Sequence, residues 1–194
     1  MSRPLLLASA SPRRRELLQQ LGLRFTLAPA AIDEAPLPGE DPAALVSRLA
    51  QAKAQAGLAF AEPAQWVLGA DTVVVLDREI LGKPADDAAA AAMLRRLSGR
   101  AHTVFSGVFL ARSGVPGRGR VVRTRVWMRG ISEPEIVAYV ASGEPLGKAG
   151  AYAIQGRGAA FVRCLAGSYS NVVGLPLYEL DALLHELPEP PERV

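Results

Sequence analysis

The chain reads as an α/β protein. Apolar runs of strand length alternate with segments of helical spacing. The run Leu5-Leu6-Leu7-Ala8 passes straight into a helix start at Ser11-Pro12. The 194 residues, 49% hydrophobic and 21% charged, suffice for one substantial core, either a single large domain or two lobes sharing a sheet. No linker is marked, and no apolar run reaches membrane-spanning length. The start lacks the charged, apolar and small-residue zones of a signal peptide, so the expected location is the cytoplasm. The single cysteine, Cys164, has Val162 and Leu165 beside it and reads as a buried small hydrophobe.

Each element has a local reason. Ser11 suits an N-cap, Pro12 the first helical position, and Leu17, Leu18 and Leu21 follow at helical spacing until Gly22 closes the helix. Arg13, Arg14 and Arg15 crowd the end of that helix where the dipole is already positive and where acids are normally favoured. Free backbone N–H groups, the dipole and forked guanidinium groups there form a phosphate-binding corner; the alternative is a solvated basic face. Residues 23–27 read as a short strand, and a Pro/Ala-rich loop delivers Ile32-Asp33-Glu34. The next helix opens at Asp41-Pro42 and carries Leu45, Val46, Leu49 and Ala56 on one stripe, with Lys53 close enough to snorkel along it.

Trp66-Val67-Leu68 leads to Gly69-Ala70-Asp71-Thr72 before Val73-Val74-Val75-Leu76 resumes the β pattern. A carboxylate inside so apolar a run costs several kcal/mol unless paired, so Asp71 is expected at a break or bulge facing a site. A tight turn at Asp77-Arg78 leads to Ile80-Leu81, then to Gly82-Lys83-Pro84, which holds a lysine on a stiff corner before a helix over residues 86–97. No Walker A motif is present. Residues 101–111 and 120–129 read as strands paired across Gly114-Val115-Pro116-Gly117. His102, on the first of them, reads as a surface or hydrogen-bonded residue. With only His102 and His185 in the chain, a histidine metal site is not expected.

Ser132-Glu133-Pro134-Glu135 is a capping box for a helix that runs to about Ala141 and stops at Gly143. The last third is rich in glycine. Gly156 and Gly158 lack the third glycine of a dinucleotide fingerprint, and Gly167-Ser168-Tyr169-Ser170-Asn171 is not a nucleophile elbow. A final helix over residues 177–187 precedes a Pro/Glu tail, residues 188–194, expected to fray.

The net charge of +3 names no partner, but its distribution is uneven. No acid lies between Asp87 and Glu133, and Arg112, Arg118, Arg120, Arg123, Arg125 and Arg129 fall within that gap. One reading is a nucleic-acid-binding face; the other is the solvent side of a strand. A regulatory phosphate-binding domain is a third possibility, but it has no need of Asp71.

The basic groups Arg13, Arg14, Lys53 and Lys83, with the acids Glu34 and Asp71, are the inventory of phosphoryl chemistry. Cations clamp phosphates, carboxylates hold a hard divalent metal, and one acid orients or deprotonates water. Arg14, Lys53 and Lys83 are expected as exposed side chains that bind the phosphate chain and contribute little to folding.

This combination resembles the Maf-like nucleoside triphosphate pyrophosphatases. The resemblance covers nearly the whole chain as a single domain, residues 1–194. It is carried by Ser9-Ala10-Ser11-Pro12-Arg13-Arg14, Asp33-Glu34, Leu49-Ala50-Gln51-Ala52-Lys53-Ala54, Gly69-Ala70-Asp71-Thr72, Gly82-Lys83-Pro84, Lys148-Ala149-Gly150-Ala151-Tyr152, Gln155-Gly156 and the stretch from Gly167 to Pro176. It implies an α/β fold of two lobes around a central cleft on a long mixed twisted sheet, related to the inosine-triphosphate pyrophosphatases, and a homodimer.

Chemically, the resemblance implies hydrolysis of a nucleoside triphosphate between the α and β phosphates, with Asp71 as proton acceptor and Glu34 and Asp71 at a Mg²⁺ or Mn²⁺. Ser9, Ser11, Arg13, Arg14, Lys53, Thr72, Lys83 and Gln155 would bind substrate. The biological sense is removal of unwanted nucleotides, and the associated label is septum formation. One branch of the family has an aromatic residue in place of Arg13 and is associated with 7-methylguanosine triphosphate. Arg13, Thr72 and Gln155 match instead the branch that acts on dTTP and UTP.

Overall fold

The computed structural model describes residues 3–193. Its first elements are β1 (Leu5–Leu7), α1 (Pro12–Gln20), β2 (Phe25–Leu27), α2 (Pro42–Gly57), β3 (Val67–Leu76), β4 (Glu79–Leu81) and α3 (Asp87–Leu97). They are followed by β5 (Ala101–Arg112), β6 (Val115–Met128), α4 (Glu133–Val140), β7 (Val162–Ala166), α5 (Tyr169–Val173) and α6 (Leu177–His185). The strands form one seven-stranded sheet in the order β2-β1-β3-β5-β6-β7, with β4 paired to β3 off that path. The sheet is mixed: β1 is parallel to β2 and β3, whereas β4 is antiparallel to β3 and β7 antiparallel to β6.

The chain divides into two compact units. The first comprises the residues up to Asp71, Ser106–Val122 and those from Gly174 on; the second comprises Thr72–Phe105 and Arg123–Val173.

In the first unit, β1 ends where the sequence places it and α1 begins at Pro12. Ser11 is its N-cap residue, but no side-chain bond caps the helix; the hydroxyl of Ser9 accepts from the Ser11 N–H instead, at 3.2 Å. Helix α2 starts at Pro42 with Asp41 as N-cap, whose carboxylate accepts from the Ala43 N–H. The helix buries Leu45, Val46, Leu49 and Ala50. It approaches β3 at Gly69, where an added Cβ would lie 2.0 Å from the Ala50 carbonyl oxygen and 2.5 Å from the Ala54 nitrogen. Only glycine lets helix and strand backbones come that close.

The Pro/Glu stretch after Leu187 bonds to other residues of the first unit. Arg24 N–H donates to the Glu192 carbonyl, Glu192 N–H to the Arg3 carbonyl and the Trp66 indole to the Glu189 carbonyl, while Leu23 bridges to Arg193. Val194 lies outside the described residues.

In the second unit, α3 and α4 pack together, burying Leu94, Leu97 and Ile136. The capping box forms as read, Ser132 N–H donating to the Glu135 carboxylate at 2.8 Å. Cys164 is exposed, contrary to expectation. It lies on β7, the last strand in the sheet order, whose residues are all exposed or half-buried.

The hairpin also differs. The turn is at Ser113-Gly114, with Gly114 at φ +75°, and β6 already begins at Val115. Gly117 lies inside the strand because the Phe109 ring crosses it there; an added Cβ would stand 2.4 Å from the ring.

Candidate active site

Asp71 lies within β3, between the residues that pair with β1 (Val67, Leu68) and those that pair with β4 (Val74, Val75, Leu76). Its carboxylate is compensated by charge. Lys53 Nζ donates to Asp71 Oδ1 at 2.7 Å and lies 2.6 Å from Glu34 Oε1. The Lys53 and Asp71 side chains are 9% and 11% exposed, so this ion pair is nearly cut off from water, while Glu34 is half-exposed. Lys53 therefore does not snorkel. The close approach of α2 at Gly69 brings its ammonium to Asp71, two residues further along β3.

Glu34 reaches this point from the loop between β2 and α2. Its neighbour Asp33 points elsewhere: its carboxylate accepts from the Ala35 N–H at 2.9 Å in a local turn. Of the two adjacent acids, Glu34 alone meets Lys53.

Arg14 is buried at the start of α1, where it donates from Nε to the Gly174 carbonyl at 3.0 Å and from Nη1 to the Ser9 hydroxyl at 3.1 Å. Burial lowers its pKa, and the charges of Asp71 and Glu34 oppose that shift, so the guanidinium lies within electrostatic reach of both acids. Arg13 is half-buried, and burial lowers its pKa against the opposing charge of Glu16. The first unit thus holds two bonded groups, Ser9 with Arg14 and Glu34 with Lys53 and Asp71, with the charges of Asp71 and Glu34 acting on Arg14, Ser11 joined to Ser9 through its backbone and Arg13 adjacent in sequence. The expectation that Arg14 and Lys53 are exposed is overturned, because each neutralises or binds a group inside the fold.

Two carboxylates aimed at one point are a donor set that a hard divalent cation accepts when phosphate oxygens complete its shell. Among the described residues no three His, Cys, Asp or Glu side chains gather to hold a metal by themselves. Glu34 and Asp71 supply two such oxygen donors, and in this structure both face the Lys53 ammonium.

The remaining candidates belong to the second unit. Thr72 is half-buried, next to Asp71 in β3. Lys83 is exposed in the corner after β4, where the Gly82 carbonyl accepts from the Gly150 N–H at 3.1 Å. Gln155 is exposed on a turn closed by Gly156 N–H donating to the Ala153 carbonyl.

Sequence reasoning did not identify what holds that turn. The Glu144 carboxylate accepts from the Arg157 N–H, the Gly158 N–H and the Tyr139 hydroxyl at 2.8 to 3.1 Å, and the same hydroxyl accepts from the Ala153 N–H. These bonds hold the Glu144 carboxyl below its ordinary range although burial opposes them. His102 is buried, its Nε2 2.8 Å from the Tyr152 hydroxyl. Asn171 is likewise structural, donating to the Val104 carbonyl and the Thr124 hydroxyl. Nothing in the spacing of these residues marks them, since their partners lie far along the chain.

Four of the six arginines of residues 112–129 have an acid beside them. Arg112 pairs with Glu189, Arg118 and Arg120 with Glu186, and Arg129 with Glu135. Arg123 and Arg125 are exposed, Arg125 lying over the Trp127 ring at 5.2 Å. The nucleic-acid-binding reading is unsupported.

Residues 4–187 match the Maf family, described as Maf-like protein. A dTTP/UTP pyrophosphatase of Myxococcus xanthus (strain DK1622) is 58% identical over 180 residues, 93% of this chain and 90% of that protein. A dTTP/UTP pyrophosphatase of Shewanella oneidensis is 54% identical over 94% of this chain and 97% of that protein. A third, from Desulfotalea psychrophila, is 51% identical over 92% of this chain and 91% of that protein. A solved nucleoside-triphosphatase / dITP/XTP pyrophosphatase from Mycobacterium abscessus is a distant likeness, with 17% identity and a TM-score of 0.42 over 64% of this chain and 74% of that one. With the family match spanning residues 4–187 and relatives more than half identical along nearly their whole length, the chain belongs to the Maf family.

Proposed function

We propose that this chain is a pyrophosphatase that hydrolyses dTTP and UTP to the monophosphate and pyrophosphate. The observation that carries the reading is the buried Lys53 ammonium joining Asp71 to Glu34, with Arg14 within electrostatic reach. This arrangement keeps a carboxylate oriented among cations able to bind phosphate oxygens. The names of the relatives agree with it.

In this reading the Asp71 carboxylate accepts a proton from a water that attacks the α phosphorus. A bond forms from the water oxygen to phosphorus, the bond from the α phosphorus to the bridging oxygen breaks, and pyrophosphate leaves with that oxygen. Lys53 holds Asp71 in place. Arg13, Arg14 and Lys83 bind the phosphate chain, Ser9 orients Arg14, and Ser11 offers the helix start. Thr72 and Gln155 contact the base, and Arg13 shares in that selection. Glu34 and Asp71 would hold the divalent cation, which when bound supplies neutralisation of the triphosphate charge.

The site of action is the cytoplasm, where a nucleotide pool is available, and the assembly is a homodimer. Among the described residues no helix is long and apolar enough to cross a membrane.

A nucleotide panel scored separately for pyrophosphate and orthophosphate, with Mg²⁺ or Mn²⁺ present, tests the reading. Pyrophosphate with dTMP or UMP is expected. Orthophosphate with a diphosphate product, or no turnover of any triphosphate, would overturn it.

A further inference from the structure

The loop of residues 28–41 has no helix or strand of its own, yet it delivers Glu34 to within 2.6 Å of Lys53. Because Glu34 is half-exposed, its aim depends on the path of that loop. A second ion pair fixes the path. Arg48 of α2 grips Glu40 with both arms of its fork, Nε to Oε1 at 2.6 Å and Nη2 to Oε2 at 2.7 Å. Arg48 Nη2 also donates to the carbonyl of Ala35, the residue after Glu34, at 3.1 Å, and Glu40 Oε2 accepts from the Leu37 N–H at 3.0 Å.

We infer that Arg48 and Glu40 are positioning residues for the reaction, a clamp that fastens the loop to the same helix that carries Lys53 and so sets Glu34 against it. The inference rests on the proposed role of Glu34. The chemistry suits the task. A planar guanidinium meeting a carboxylate in two parallel bonds fixes direction as well as distance, which a lysine cannot do. Arg48 and Lys53 both ride on α2, so the loop and the ammonium are held to a common frame. The Arg48 bonds hold the Glu40 carboxyl down to about 2, and the charges of Asp33 and Asp71 add to those of Glu40 in raising Arg48. The pair therefore stays ionised across the pH range in which the enzyme would be assayed.

Arg48→Met should lower kcat for dTTP at least ~10-fold while KM changes less than ~3-fold, the signature of a misplaced group and not of lost binding. In a Glu34→Gln background the same change should cost nothing further, because Arg48 acts through Glu34. Amide hydrogen exchange should accelerate at Ala35 and Leu37 in Arg48→Met while the Tm stays close to that of the parent. Glu40→Gln should reproduce these effects from the other side, and Arg48→Lys should restore little. Unchanged kcat, equal losses with and without Glu34, or unaltered exchange at Ala35 and Leu37 would overturn the clamp. Should the unmodified chain turn over no nucleotide, the functional reading falls. The exchange measurement then still decides whether Arg48 holds the loop.

Discussion

Lys53 and Asp71 form an ion pair at 2.7 Å whose two side chains are nine-tenths or nearly so withdrawn from water. Such a pair contributes little net stability when complete, since desolvation offsets attraction, but leaving one charge alone in that environment is costly. Lys53 carries two acids at once, Glu34 at 2.6 Å being the second. The ammonium is thus both the counter-ion that allows a carboxylate inside β3 and the group that gathers the acids into one place.

Asp71→Asn tests the chemistry with little change of shape, because an amide oxygen can still accept from Lys53. Turnover of dTTP should fall at least ~10²-fold, the scale of losing a positioned base, while circular dichroism and Tm show a folded protein. Lys53→Met should behave differently. It leaves Asp71 without its counter-ion and should cost about 3–5 kcal/mol of stability as well as activity. Lys83→Ala, at an exposed position, should raise KM without moving Tm. Normal turnover in a folded Asp71→Asn protein would make Asp71 a structural acid.

The helix starts at Pro12 and Asp41 and the Ser132–Glu135 box were legible in the sequence because each acts within one helical turn. What depended on distant partners was not. The charge that compensates Asp71 lies on another element and could not be read locally, and Lys53 looked exposed for the same reason. Arg112, Arg118, Arg120 and Arg129 looked unpaired because their acids come from Glu135, Glu186 and Glu189. At the candidate site, residue types and motifs pointed to Ser9, Arg14, Glu34, Lys53 and Asp71; the fold bonds Ser9 to Arg14 and joins Glu34 and Asp71 through Lys53. The supports Arg48, Glu40, Tyr139 and Glu144 carry no motif that single-sequence reading can see.

Gly69→Ala tests how α2 is seated. The new methyl would meet backbone atoms of Ala50 and Ala54 at 2.0 and 2.5 Å, and backbone cannot swing aside as a side chain does. A loss of at least about 3 kcal/mol in chemical denaturation is expected, at the upper end of overpacking penalties. Any folded fraction should have low kcat, since the helix carrying Lys53 must move away from Asp71. A variant with parental stability would show that helix and strand are not held this closely.

The buried His102 gives stability a pH dependence of predictable sign. Burial holds its pKa down to about 4, against 6.5 for an ordinary histidine. Between these values the unfolded chain binds the proton and the folded chain does not, so stability rises with pH there. The contribution is complete above about 6.5 and is lost as pH falls towards about 4. His102→Gln can keep a partner for the Tyr152 hydroxyl but cannot titrate. Unfolding measured at pH 7 and pH 4.5 should lose less stability in His102→Gln than in the parent. An equal loss in both proteins would show that His102 takes up its proton without unfolding.

Base selectivity is the sharpest test of the remaining residues. A glutamine amide offers donors to O2 or O4 of thymine or uracil and can accept from N3–H, and an arginine adds further donors. Cytosine carries an amino group at C4 and no proton on N3, so it would leave such groups unpaired, and a polar site rejects an analogue that does so more strongly than one that only fills space poorly. The turn that bears Gln155 is held by Glu144 through two backbone N–H groups and by the Tyr139 hydroxyl. The amide is therefore presented on a braced segment. dTTP and UTP should be cleaved far better than CTP, ATP, GTP or 7-methyl-GTP. Gln155→Ala should shrink the ratio of kcat/KM for dTTP over CTP by ~10-fold or more, the scale of one lost polar contact that discriminates, while inhibition by inorganic triphosphate stays within ~2-fold. Faster turnover of 7-methyl-GTP than of dTTP would remove Arg13, Thr72 and Gln155 as selectivity residues and leave the pyrophosphatase reading standing.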